Sequence, residues 1–275
     1  MPGLALPATL IVVAVLGLPL LLLLRYSLNE YDRFDMMKEA LTLANYTAIF
    51  NDAFFRNVLL RTIGIAALST AITLVLAFPV AYFIARAAVR WKSLLIICVV
   101  FPLLVGNLVR AAGWMAVMGN RGFLNQALLD LGVVDQPLEM LYTPIAVVVG
   151  IVAVVLPFMI LTLQSVLESI DPSLEEAAGS LGARPLTTFR RIVLPLALPG
   201  VIAGTALVFI LCMNAYATPV LLGGPRFHVM GPQVYQQIVG QSNWPFGAAL
   251  AFILMGTTLI LTVLSTTLIQ RRYAR

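Results

Sequence analysis

Residues Ser165–Leu196 read SVLESIDPSLEEAAGSLGARPLTTFRRIVLPL, a polar island between two long apolar runs. Asp171-Pro172 predicts a helix start, an N-cap oxygen followed by a proline with no N–H to lose. Glu175 and Glu176 then fall in the first turn, where negative charge complements the helix dipole. Leu174, Ala177, Ala178 and Leu181 recur at helical spacing and form one apolar stripe. Gly182 ends that helix and Pro185 opens a second, whose face is Leu186, Phe189 and Ile192 and which Pro195 is expected to stop. A helix–turn–helix with two apolar faces and no spanning length needs something to cover it.

Outward from the island the chain is apolar. It has 275 residues, 61% hydrophobic and 11% charged, with a mean hydropathy of +0.98. Soluble domains carry about 25% charged residues, so the composition is that of an all-α integral membrane protein. Six spans are predicted, over about residues 4–24, 58–85, 94–111, 143–166, 198–218 and 246–269, in one transmembrane domain covering 1–275. About 20 residues at 1.5 Å each cross a 30 Å hydrocarbon core. The first run lacks a basic leader and is too long for a typical signal peptide, so it is read as a span. Arg25–Asn57 reads as an extramembrane loop with short helices, and 113–142 and 223–245 as polar connections.

Six spans put both termini on one side. Leaving out Arg110, that side then carries nine basic residues against seven on the other, in three clusters: Arg86, Arg90 and Lys92; Arg184, Arg190 and Arg191; and Arg271, Arg272 and Arg275. The positive-inside rule makes that face, and the polar island with it, cytoplasmic, although Arg25 on the outer side argues the other way. The net charge of +5 is scattered along the flanks of apolar runs, which points to topology and not to nucleic acid.

Several chemistries are excluded. The two lysines, Lys38 and Lys92, follow no glycine, so there is no GxxxxGK[ST] phosphate loop. His228 is the lone histidine, which rules out a His-based metal site of the HExxH kind. Asp, Glu and Lys are absent from the span interiors, which disfavours an ion-coupled secondary transporter. A membrane-embedded enzyme lacks a nucleophile–base pair within the spans. Cys98 and Cys212 lie in apolar runs far apart and read as packing residues.

Polar residues inside the runs are candidates for a pathway. Arg110 is read either as snorkelling to the interface, with Trp114 as anchor, or as a gate. Asn214 and Tyr216 are read as interhelical packing or substrate contact. Asn107 completes the set. Pro79, Pro102 and Pro157 interrupt backbone bonding within spans and are read as hinges or static kinks.

The spacing Glu176-Ala177-Ala178, three residues, Gly182, nine residues, Ile192-Val193-Leu194-Pro195 resembles the EAA loop of ABC importer permeases. An amphipathic hairpin lying on anionic lipid is the alternative for the island alone. From about Asn45 to Leu264 the chain is similar to the first permease of spermidine/putrescine-type importers. Shared segments include Asn107-Leu108-Val109-Arg110, Gly122-Phe123-Leu124-Asn125, Leu156-Pro157-Phe158 and Asn243-Trp244-Pro245-Phe246-Gly247. The resemblance implies a type I ABC importer permease in the bacterial inner membrane, with residues 168–196 as the cytoplasmic coupling loop. It implies ATPase contacts by Glu175, Glu176, Ala177, Ala178, Gly182, Ala183, Phe189 and Arg190. It further implies two copies of an ABC ATPase that bind the ATP and Mg, a second homologous permease, a periplasmic or extracellular solute-binding protein and surrounding lipid. This chain itself would hold no cofactor and contact no nucleic acid. The solute implied is a polyamine, an opine or an amino-acid derivative. The spans offer no carboxylate to a polycation, however, and this departs from a polyamine path.

Overall fold

The computed structural model describes residues 6–273, and the side chains of 11–268. Among the described residues the structure is helical, and the one β-bridge joins Glu30 to Lys38 in the loop that follows the first helix. Two compact units are present: residues up to Thr62 with His228–Thr257, and Ile63–Phe227 with residues from Thr258 onward.

The helices are α1 (Leu6–Ser27), α2 (Ala44–Asn51), α3 (Ala53–Arg86), α4 (Val89–Val100), α5 (Asn107–Met118), α6 (Phe123–Asp130) and α7 (Pro144–Glu168). They continue as α8 (Ser173–Ser180), α9 (Pro185–Thr188), α10 (Leu194–Met213), α11 (Ala217–Gly223), α12 (Met230–Tyr235) and α13 (Trp244–Tyr273). Four stretches are long and apolar enough to cross a membrane: α3, α7, Pro185–Met213 and Trp244–Leu268. The third predicted run is not one straight helix. It breaks between Leu104 and Asn107, and the two arms, Val89–Leu104 and Asn107–Asp130, meet at 94°; counted as one span they make a fifth. The first predicted run is helical as α1, and its residues Leu4 and Ala5 lie outside the described residues, as does Arg275. α1 is 22 residues long, Leu6–Ser27.

Of the three prolines expected to bend spans, only Pro102 lies at a break, in the 3-10 turn Phe101–Leu104; α3 and α7 run on through Pro79 and Pro157. Pro195 does not stop the second island helix. The chain passes from α9 into α10 through a π-helical turn, Phe189–Val193, in which the N–H of Leu194 reaches back to the carbonyl of Phe189. The wider turn carries the helix past a residue that has no N–H and would crowd the carbonyl four residues earlier. The fifth span therefore begins within the island.

In the second unit α7 is the central helix. Val147, Val155, Met159, Leu163 and Leu167 are fully covered, and α7 packs on α10, α11, α4 and α5. Gly200 and Gly204 of α10 let it lie close to α7: a Cβ on Gly200 would stand 2.9 Å from Val166 Cβ, and one on Gly204 2.7 Å from Met159 Sδ. This is the small-xxx-small spacing by which membrane helices gain dispersion contacts that hydrocarbon itself cannot supply. Two buried hydroxyls on α3 are satisfied within the helix, Thr70 donating to the Ala66 carbonyl at 2.7 Å and Thr73 to that of Ser69 at 2.7 Å, while the buried Ser69 hydroxyl has no partner among the described residues. Both cysteines are free, Cys212 buried as expected and Cys98 exposed.

In the first unit the hydroxyl of Thr62 donates to the Val58 carbonyl at 2.8 Å and accepts the Met230 N–H at 2.9 Å, pinning the start of α12 to α3. Phe55 meets Phe246 edge-on at 5.0 Å, and Phe54 meets His228 at 5.2 Å. His228 Nδ1 lies 3.0 Å from Gln233 Nε2, a structural setting for the lone histidine.

Candidate functional site

The polar island forms the helix–turn–helix its sequence predicts. Asp171 Oδ1 accepts the Ser173 N–H at 2.9 Å, and that bond holds the carboxyl below the usual aspartate range. At the other end of α8, Gly182 adopts φ +78°, the left-handed region. Its N–H reaches the Gly179 carbonyl at 2.9 Å while the Ala183 N–H reaches that of Ala178 at 3.0 Å. This pair of bonds is a Schellman closure, which satisfies carbonyls that the helix end would leave bare. Ala183 is thus a turn donor.

The two glutamates, equivalent in sequence, are not equivalent in space. Glu175 turns inward, onto the end of α3. Arg86 Nε and Nη2 donate to Glu175 Oε1 at 3.0 and 2.5 Å, and the Tyr82 hydroxyl donates to Oε2. Arg86 Nη1 also donates to the carbonyls of Leu167 at 3.3 Å and Ile170 at 3.1 Å, closing the C-terminal end of α7. One guanidinium therefore fastens α3, α7 and α8 together. Glu176 points to the exposed side, with Ala177 beside it and Ala178 half-buried. Phe189 stacks edge-on against Phe78 of α3 at 5.3 Å, and Arg190 is exposed. Leu181 is 90% exposed and Leu186 66%, so the outer face of this element is apolar and uncovered.

Tyr82 and Arg86 were not singled out by the sequence reading, which used Arg86 only as a topology mark. Their spacing of four, at the end of a long apolar run, puts both on one helix face. That signal was available; the partner on α8, about ninety residues further along, was not.

The predicted pathway residues converge. Asn107, Arg110, Asn214 and Tyr216 all line one cavity of about 500 Å³ in the second unit. Its apolar wall is formed by Ile151, Val155 and Phe158 of α7. These residues lie about 10 Å or more from either end of α7 at 1.5 Å per residue, so the cavity sits along its middle. Arg110, read from sequence either as snorkelling or as a gate, lines this cavity. Beyond the break before α5, Arg110 Nη2 donates to the Val105 carbonyl at 2.8 Å and to that of Pro102 at 2.7 Å, which also accepts the Val105 N–H at 3.3 Å. Asn214 follows the last turn of α10 and donates to the Ile210 carbonyl at 2.8 Å. The break between α10 and α11, at Asn214–Tyr216, lines the same cavity. Phe158, which belongs to one of the segments that carried the family resemblance, is a wall residue that the reading had not assigned.

Comparison with known proteins adds the following. Residues 40–275 match the family described as binding-protein-dependent transport system inner membrane component. The spermidine/putrescine transport system permease protein PotB of Escherichia coli K12 is 36% identical over 258 residues, covering 93% of this chain and 94% of that protein. The inner membrane ABC transporter permease protein YdcU of the same organism is 35% identical over 249 residues, covering 85% and 78%. Among solved structures, a bacterial alginate ABC transporter in complex with an alginate pentasaccharide-bound periplasmic protein matches with a TM-score of 0.75, at 18% identity, over 98% of this chain and 93% of that one. An amino acid ABC transporter crystallised with histidines matches with a TM-score of 0.54, at 17% identity, over 84% and 96%.

Proposed function

The chain belongs to the family of binding-protein-dependent transport system inner membrane components, and we propose that within such an importer its island 168–196 is the coupling element on which an ATPase docks. Membership makes the chain a multi-pass inner membrane permease subunit of an ABC importer and not an enzyme. The secondary-transporter and membrane-enzyme readings fall with it. Partners of the family are an ATPase and a solute-binding protein. The finer assembly is our reading: two ATPase copies that bind ATP and Mg, a second homologous permease, and termini on the cytoplasmic side.

The observation that carries the coupling assignment is the division of labour between Glu175 and Glu176. Glu175, Tyr82 and Arg86 bind α8 to the ends of α3 and α7, and the exposed Glu176, Leu181 and Leu186 are left to a partner. Force applied to that face reaches the spans through one ion pair and through the unbroken helix Pro185–Met213. ATP closing the ATPase dimer would move this element, and the cavity around Asn107, Arg110, Asn214 and Tyr216 would open alternately to the two sides. The solute carried is a small organic molecule, a polyamine, opine or amino-acid derivative.

The test is Gly182→Trp in the complete importer reconstituted in liposomes. The expected result is loss of ATP-driven uptake with membrane insertion intact. Uptake at the level of the unmodified importer would refute the docking assignment.

A further inference from the structure

The loop between α1 and α2 spends its polar groups on holding one apolar side chain in the open. Asp32 Oδ1 accepts the N–H of Phe34 at 2.8 Å and that of Asp35 at 3.2 Å, an Asx turn, while Lys38 pairs with the other carboxylate oxygen. Glu30 and Lys38 exchange both backbone bonds, at 3.1 and 2.9 Å, and close the loop below that turn. Asn45 of α2 ties the base, donating to the carbonyls of Ser27 at 2.9 Å and Asn29 at 2.8 Å. At the tip Phe34 is 96% exposed, the most exposed large apolar side chain among the described residues. Met36, close beside it, is also exposed and holds φ +59°, a left-handed backbone that is strained for any residue but glycine. A rigid frame and a strained tip around a bare phenyl ring amount to a preorganised contact.

The charges around the ring indicate what it meets. Arg33 and Asp35 flank Phe34, so hydrocarbon could take the phenyl only by drawing two charges toward it, which is expensive. A protein pocket takes an aromatic anchor and leaves its charged neighbours on a wet rim. Residues 30–39 carry four acids and two bases, a net charge of −2, so the complementary rim is basic. α3 crosses the membrane once between this loop and Arg86, its 34 residues reaching about 50 Å against a hydrocarbon core of about 30 Å. With the island on the ATPase side, the loop is on the side from which solute is delivered. We propose that Phe34 and Met36 form a docking anchor for the solute-binding protein, which receives the ring in an apolar pocket rimmed by lysine or arginine. The proposal rests on the reading of the island as the ATPase-facing element.

The test uses the complete importer in lipid nanodiscs and reads ATP hydrolysis as its solute-binding protein is titrated in. Phe34→Ala is expected to raise the half-saturating concentration of binding protein about tenfold or more, the scale of truncating an interface anchor. Phe34→Tyr keeps most of the affinity, and Asp35→Lys weakens it, because the new charge faces a basic rim. Thermal unfolding of the Phe34→Ala importer without binding protein matches that of the unmodified one; a lower midpoint would show the ring packed inside the assembly and overturn the proposal. With p-benzoylphenylalanine in place of Phe34, irradiation is expected to cross-link the chain to the binding protein. A cross-link only to the second permease or to lipid overturns the proposal, as does an unchanged half-saturating concentration in Phe34→Ala. The unmodified importer separates the two levels. If the binding protein does not stimulate its ATP hydrolysis at all, the importer reading itself fails, whereas stimulation together with any of the contrary results refutes the docking assignment alone.

Discussion

Replacing Arg86 by alanine removes the guanidinium that joins three helices. It deletes two hydrogen bonds to Glu175 Oε1 and two to the carbonyls of Leu167 and Ile170, and it leaves the Glu175 carboxylate with Tyr82 alone. An exposed ion pair contributes about 0.2–1 kcal/mol, and breaking a buried one costs about 3–5 kcal/mol. The side chains of Arg86 and Glu175 are 20% and 19% exposed, so the cost lies between these limits, at about 2 kcal/mol. The loss falls on the docking of α8 against α3 and α7, not on the hydrophobic spans. At about 1.4 kcal/mol per factor of ten, the population of undocked α8 rises ~30-fold. Hydrogen exchange read by mass spectrometry on the reconstituted complex measures this as faster exchange over 173–181, with little change in α7 and α10. Tyr82→Phe deletes one hydrogen bond and costs about 1 kcal/mol. Removing Arg86 and Glu175 together costs less than the sum of the two single changes, since no charge is then stranded. Unchanged exchange over 173–181 in a folded, membrane-inserted Arg86→Ala protein would show that the clamp does not hold the element.

Two further outcomes follow from the geometry. Gly200→Ala destabilises the protein more than Gly204→Ala, because a new Cβ at 200 meets the branched Cβ of Val166 whereas at 204 it meets the flexible end of Met159; thermal unfolding in detergent ranks them, and the reverse order would contradict the packing. Asp171 has a folded pKa below the ordinary value of 3.8, so its cap is intact above that value and is lost as pH falls through the lower, folded one; the protection factor over 173–180, the intrinsic rate at each pH divided by the observed exchange rate, stays constant near neutrality and drops only in acid, and Asp171→Asn, which can still cap, abolishes the drop.

Local features of the island were legible in the sequence because their causes are local. Asp171, Pro172 and Gly182 each act within a turn of their own position, and all three sit where the spacing put them. The pathway residues were legible for a different reason. Polar side chains in apolar runs are expensive in hydrocarbon, so Asn107, Arg110, Asn214 and Tyr216 were conspicuous before their shared cavity was known. The break of the third span was hidden, because hydropathy continues through Leu103-Leu104-Val105-Gly106 and Pro102 reads no differently from Pro79 or Pro157, past which helices run on. Pro195 misled in the opposite direction, since a π-turn absorbs it. The partners of Glu175 were hidden because side-chain pairing across about ninety residues depends on how α3, α7 and α8 meet, which no local pattern encodes.

In the proposed importer the face carrying Glu176, Leu181 and Leu186 receives the work of an ATPase, and this docking can be probed directly. It is tested most directly by site-specific cross-linking at Leu181, the most exposed apolar residue of the turn. Leu181→Cys is introduced together with Cys98→Ser, because Cys98 is also exposed, and the reconstituted importer is treated with a short thiol-to-amine cross-linker. A cross-link to the ATPase subunit is expected, formed in a yield that changes with ATP, with loss of uptake once it has formed. Absence of that cross-link in an importer that still transports would contradict the docking.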